Sequence, residues 1–104
     1  MNKTHRLSGD YETREVYLDG KFLDPSPSLK VRNHSPDGFN WGYGGSGPAQ
    51  LALAVMLRVT GKTDGYQHFK FIVIAGLPKA DFEAEIMIDE KNSQYSFTLI
   101  DNNI

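Results

Sequence analysis

The sequence predicts one small α+β domain. Three observations carry that expectation: an Asp-Gly dipeptide between two short apolar runs, an apolar helical stretch opened by a glycine-rich turn, and two alternating segments near the end of the chain. With 104 residues, 39% of them hydrophobic, the chain has the size of a single domain, residues 1–104, built on one core.

Residues 1–12 are polar, show no periodicity and are expected to be loosely ordered. Next, Val16, Tyr17 and Leu18 are separated from Lys21, Phe22 and Leu23 by Asp19-Gly20, a pair that readily supplies the positive φ angles of a type I′ turn, so an N-terminal β-hairpin follows. The segment D-P-S-P-S at 24–28 cannot donate a regular ladder of amide hydrogens and reads as a connector. Beyond it, Leu29 and Val31 alternate with Lys30, Arg32 and His34, which predicts a short strand over 29–34 with three basic or titratable groups on one face.

Residues 49–59 contain only Gln50 and Arg58 as polar positions, so the central helix, 48–59, should be surrounded by protein. Gly47 is its expected N-cap, Pro48 its first residue and Gly61 its stop. Tyr66, Phe69 and Val73 recur at helical spacing, and with Asp64 as cap and Gly76 and Pro78 as terminators they predict a second helix over 65–76. Finally, Phe82, Ala84, Ile86 and Ile88, then Tyr95, Phe97 and Leu99, alternate with polar residues and predict a C-terminal β-hairpin.

The formal charge of −2, from mixed signs, gives no footprint for general binding to nucleic acid or to an anionic membrane. The chain has no cysteine, which excludes disulfides, thiolate catalysis and Cys-ligated zinc. Its start is polar rather than signal-like, and its longest apolar-rich run, 49–57, is about half the length that crosses a bilayer, so a cytoplasmic, soluble protein is expected. No cofactor or metal is expected: His34 and Asp37 stand three apart without further ligands at metal-binding spacing. Nor do sequence neighbours assemble a nucleophile, a base and an orienting group, which ranks an enzyme last.

The turn G-Y-G-G-S-G at 42–47 formally matches the dinucleotide fingerprint G-x-G-x-x-G. That fold also needs a second strand after the helix, ending near an acidic residue, and 61–64 is a turn with no strand before it. A nucleophile elbow would need glycine where Pro48 stands, and a P-loop ending at Gly61-Lys62-Thr63 would need glycine where Met56 stands. What remains is a helix start whose amides and Ser46 hydroxyl can hold a phosphate or carboxylate, with Arg32 and His34 supplying charge from the expected neighbouring strand. Trp41 and Tyr43 alternate with Phe39 and could wall a flat ligand. The candidate ligand-binding set is therefore Arg32, His34, Trp41, Tyr43, Gly45, Ser46 and Gly47. In the plainer alternative the glycines let the turn pack closely, Ser46 caps the helix and the aromatic residues belong to the core.

The block N-H-S-P-D-G-F at 33–39, running into W-G-Y-G-G-S-G-P-A-Q-L-A-L-A at 41–54, resembles the signature of a family of small bacterial and phage proteins, one of the families of unknown function. Tyr66-Gln67, Phe69-Lys70 and Leu77-Pro78 resemble its later pattern, whereas the alternating segment from Phe82 to Leu99 departs from the short helical ending the resemblance implies. The resemblance transfers no activity. Its association with mobile elements implies a role between phage and host, such as sequestering a nucleotide signal or blocking a host protein.

Two functions therefore stand as expectations: a non-catalytic binding module for a small anionic or nucleotide-like ligand at the glycine-rich helix start, and, as alternative, a protein-interaction or assembly module acting on a host protein.

Overall fold

The computed structural model describes residues 3–100. Its sheet grows from the strongest alternating segment, β4 (Phe82–Asp89), whose Phe82, Ala84, Ile86 and Ile88 are buried on one face. That face cannot stay in water, and helices cover it. The partner in the C-terminal hairpin is β5 (Gln94–Leu99), paired antiparallel with Ile86 opposite Phe97 and Ile88 opposite Tyr95. On the other side of β4 lies β1 (Lys3–Gly9), then β2 (Val16–Leu18) and β3 (Lys21–Phe22), so the five-stranded order is β3-β2-β1-β4-β5 with every pairing antiparallel.

The first correction concerns the start of the chain. Residues 3–9 are not loosely ordered but form the middle strand, in register with β4 from Lys3 opposite Ile88 to Gly9 opposite Phe82. The physical reason is composition. On the inward face of β1 stand Lys3, His5, Leu7 and Gly9, and Leu7 alone is a large apolar residue, so no alternation is visible. The strand is held by its two neighbours and by polar ties: His5 Nδ1 lies 2.7 Å from Asp19 Oδ2, and the Arg6 amide donates to Asp19 Oδ1 at 2.9 Å. Met1 and Asn2, within the stretch expected to be loose, lie outside the described residues.

The N-terminal hairpin forms at its predicted turn, with Asp19 at φ 54° and Gly20 at φ 80°, the positive pair that a type I′ turn requires. The second correction follows directly. Instead of a connector and a strand over 29–34, the chain forms a short helix, α1 (Ser26–Val31). Asp24 Oδ1 accepts the Ser26 amide at 2.9 Å and the prolines fall in the first turn, where a missing N–H leaves no bond unmade. Lys30, Arg32 and His34 consequently share no strand face: Arg32 is extended and exposed, and His34 lies in the loop that follows.

Between these layers runs α2 (Ser46–Thr60), buried without a break from Gly47 to Met56. It starts two residues earlier than expected, with Gly45 rather than Gly47 as N-cap, and Pro48 occupies the third position, still among the four whose amides have no helical partner. Its stop is the predicted one: Gly61 takes φ 75° and donates to the Leu57 carbonyl at 2.9 Å. A second helix, α3 (Tyr66–Ile72), lies within the expected 65–76 and ends in a 3₁₀ turn, Ile74–Gly76; Gly65, not Asp64, is its N-cap. No helix among the described residues is long and apolar enough to cross a membrane.

Candidate functional site

The glycine-rich turn packs along the end of α3. Gly42 donates to the Ile74 carbonyl at 3.0 Å, and a Cβ on Gly44 would stand 3.2 Å from the Phe71 ring. At Gly45 a Cβ would meet the Tyr43 ring at 2.4 Å, so that ring stands against the N-cap. The glycines thus let two aromatic rings approach the backbone at the start of α2. No side-chain hydrogen bond caps this helix start, and Ser46 is exposed.

Gln50 organises the loop beside it. The side chain is fully buried and its four bonding directions are all used: Oε1 accepts the amides of His34 (2.7 Å) and Ser35 (3.1 Å), and Nε2 donates to Ser28 Oγ (2.9 Å) and the Arg32 carbonyl (3.0 Å). Ser46 and Gln50 are one helical turn apart on the same face, and a helical side chain leans toward its N-terminus. Gln50 thus pins the loop over 32–35 to α2 one turn beyond Ser46.

Within that loop the imidazole of His34 is half-buried, and its Nε2 is 2.8 Å from the Tyr66 hydroxyl at the start of α3. Desolvation, with added repulsion from Arg32 and then Lys70, holds its pKa below the ordinary histidine value. Arg32 and Lys70 therefore stand close enough to His34 to disfavour its protonated form. Lys70 is the notable one. The residue is only 8% exposed, but its ammonium is not among the buried polar atoms; it lies 4.2 Å from the Phe71 ring centroid and forms no salt bridge among the described residues.

The seven candidate residues divide accordingly. Arg32, Tyr43 and Ser46 are exposed, and His34 and Gly45 are half-buried. Trp41 is fully buried between Tyr11 and Phe82, and its indole N–H donates to the Ala80 carbonyl at 3.0 Å. Phe39 is buried as well, so the expected aromatic wall is split, with Tyr43 outside at 40% exposure. Gly47 is also buried, where a Cβ would meet that of Asn40 at 2.6 Å.

The family model described as Family of unknown function (DUF6166) matches residues 4–94, nearly the whole chain. The chain belongs to this family. The DUF6166 span contains every candidate residue together with Lys70 and Phe71. No curated protein and no solved structure matches the chain.

Sequence reasoning missed Gln50 as a hub and Lys70 and Phe71 as neighbours of the turn. A polar residue inside an otherwise apolar helix was the available signal for Gln50, and Lys70 and Phe71 gave none, because only the fold brings α3 against residues 42–44. Among the described residues no cluster of three or more metal-ligating side chains occurs. A cavity of about 470 Å³ opens at the opposite end of α2, where Lys3, Lys62 and Lys91 stand beside Asp64 and Glu90; none of the candidate residues lines it.

Proposed function

We propose that this domain is a binding module for a small anion, a phosphate ester or a carboxylate, held where the start of α2 meets Arg32, His34 and Lys70. The observation that carries the reading is Lys70. Its stem is covered while its ammonium reaches solvent without a carboxylate partner, so the charge is available to an incoming anion. The amide end of α2 and the exposed Ser46 hydroxyl are further donors that an anion could use.

Replacing Lys70 by Met, which has nearly the same length and no charge, separates this reading from a structural role. Phosphate titrated to millimolar concentrations should raise the melting temperature of the wild type and leave that of Lys70→Met unmoved. Equal responses of the two proteins to phosphate, or none from the wild type, would sink the proposal.

A second reading, an interaction or assembly module engaging a host protein, draws on the exposure of Phe71, Ile72 and Tyr43 around the same turn. Light scattering across a concentration series tests the self-association branch of that reading, which a mass fixed at one chain would remove.

A further inference from the structure

We infer that the cavity at the C-terminal end of α2 binds a short peptide with free ends, its carboxylate toward Lys3 and its ammonium toward Asp64 and Glu90. This site lies apart from the anion reading above and does not depend on it.

The sheet supplies the floor. Lys3 on β1 is opposite Ile88 on β4, and Ile88 is opposite Tyr95 on β5, so the three form one row on the inward face of the sheet. Adjacent strands are about 4.8 Å apart, which sets the backbones of Lys3 and Tyr95 about 10 Å from one another. Met56 and Val59 of α2 line the same cavity, whose volume of about 470 Å³ falls within the roughly 300–1,000 Å³ of small-ligand sites.

Tyr95 gives the cavity a built polar group. Its ring packs against Phe69 and His68 and the residue is only 8% exposed, yet its hydroxyl is not among the buried polar atoms and opens into the cavity. Gly65 makes the room, because a Cβ there would stand 2.4 Å from the hydroxyl oxygen. Burial raises the Tyr95 pKa above the ordinary tyrosine value, Ser93 opposes the rise, and Glu90 and Asp64 add to it. The hydroxyl is therefore a donor at neutral pH, and both carboxylates stand at its end of the row.

The charges around this floor are available to a ligand. Lys3, Lys62, Lys91, Asp64 and Glu90 all line the cavity, and none forms a salt bridge among the described residues. A simple anion would gain from the lysines but be repelled by the two carboxylates, and a simple cation would meet the surplus of lysines. An uncharged apolar body would desolvate the charged rim without pairing it. A ligand with a carboxylate and an ammonium at opposite ends of an apolar body meets Lys3 at one end, the two carboxylates at the other and Ile88 between, while the Tyr95 hydroxyl donates to a carbonyl along the way. A span of about 10 Å corresponds to roughly three residues of extended chain. Both charges of a free amino acid are carried by a single Cα, so it reaches one end only.

The test titrates the full chain calorimetrically with the tripeptide Ala-Leu-Ala, its N-acetyl and C-amide forms, and free leucine. Ala-Leu-Ala should bind, and blocking either end or shortening to leucine should weaken binding at least about ten-fold, the loss expected for one charge-assisted hydrogen bond. Lys3→Met should bind the acid and the amide alike, and the double variant Asp64→Asn, Glu90→Gln should bind the free and acetylated amines alike; all three positions are exposed, so folding is not threatened. Tyr95→Phe, which keeps the buried ring, should bind the peptide several-fold more weakly. In the wild type the Gly65 amide and Ile88 methyl signals should move on adding peptide while the Ser46 amide stays. No binding of Ala-Leu-Ala, equal affinity for a blocked form or for leucine, or shifts at Ser46 in place of Gly65 overturns the inference and leaves the anion reading untouched.

Discussion

Replacing Gln50 by Leu would test whether one buried amide fixes both the packing of α1 and the position of the candidate site. Leu fills nearly the same volume, so the apolar contacts of α2 are kept and only the polar atoms are lost. Four groups then lose a partner: the amides of His34 and Ser35, the Arg32 carbonyl and one side of Ser28 Oγ. Ser28 keeps its own bond to the Pro25 carbonyl at 2.8 Å, and the Arg32 carbonyl stands on an exposed residue that water reaches, so most of the penalty falls on the two amides. A stranded buried donor costs about 1–3 kcal/mol, and both residues are only half-buried, so about 3 kcal/mol for the pair is reasonable. Against a total stability of about 5–15 kcal/mol this is large. With a urea m value of about 1.5 kcal/mol/M, the midpoint should fall by about 2 M. The amide signals of His34 and Ser35 should also move, and phosphate binding should weaken because His34 and Arg32 lose their tether. A midpoint lowered by less than about 0.5 M at unchanged m would refute the reasoning, since water would then be replacing Gln50 at little expense.

Two further predictions concern packing and charge. Gly9→Ala would place a Cβ 2.6 Å from the Phe82 ring and 2.7 Å from Trp41; neither ring can retreat within the core, so a loss of about 1–3 kcal/mol in chemical denaturation is expected, and a neutral result would contradict the tight contact. For His34, whose pKa is depressed in the folded state by desolvation and by Arg32 and Lys70, the unfolded chain takes up the proton first. Stability is therefore full above the ordinary value of about 6.5 and declines as pH falls through the folded value. Between pH about 6.5 and 5, before carboxylates protonate, His34→Gln should flatten this decline, and an NMR titration should place the imidazole below 6.5 in phosphate-free buffer and higher with phosphate bound. An unshifted imidazole in both buffers would contradict the electrostatic picture.

How much of this was legible beforehand follows from which signals are local. The Asp19-Gly20 turn, the alternation of Phe82, Ala84, Ile86 and Ile88, and the Gly61 stop are decided by backbone preference and periodicity within a few residues, and the fold realises them where expected. The central strand at 3–9 was hidden because it contributes one large apolar side chain and takes its stability from β4 and β2. For α1 the alternation of Leu29 and Val31 misled, because two prolines and Asp24 start a helix whose few residues show no clear period. Of the candidate residues, Tyr43, Gly45 and Ser46 adjoin in sequence, whereas Arg32 and His34 are tied to the same helix only through Gln50, which local pattern does not reveal. Trp41 was misplaced because alternation along 39–43 describes an extended chain, and this chain turns at Gly42 with φ 86°.

The contrast between Trp41 and Lys70 explains what the glycine-rich turn does. An aromatic residue that is buried and hydrogen-bonded, as Trp41 is to Ala80, has all its chemistry satisfied by the fold and can be replaced only at a loss of stability. A lysine whose stem is covered and whose ammonium reaches solvent without a carboxylate partner keeps its charge available to a ligand. The turn connects the two. Gly42 bends the chain out of the Trp41 core and ties it to Ile74, and Gly44 then brings the backbone against Phe71, beside which the Lys70 ammonium lies. A substitution at Gly44 therefore has a different expected consequence from one at Gly9, although both are close contacts. At Gly9 the intruding methyl meets the closed core. At Gly44 it meets one exposed ring that can swing outward, so Gly44→Ala should leave stability within about 0.5 kcal/mol and should reduce ligand binding by displacing Phe71 and with it the contact to Lys70.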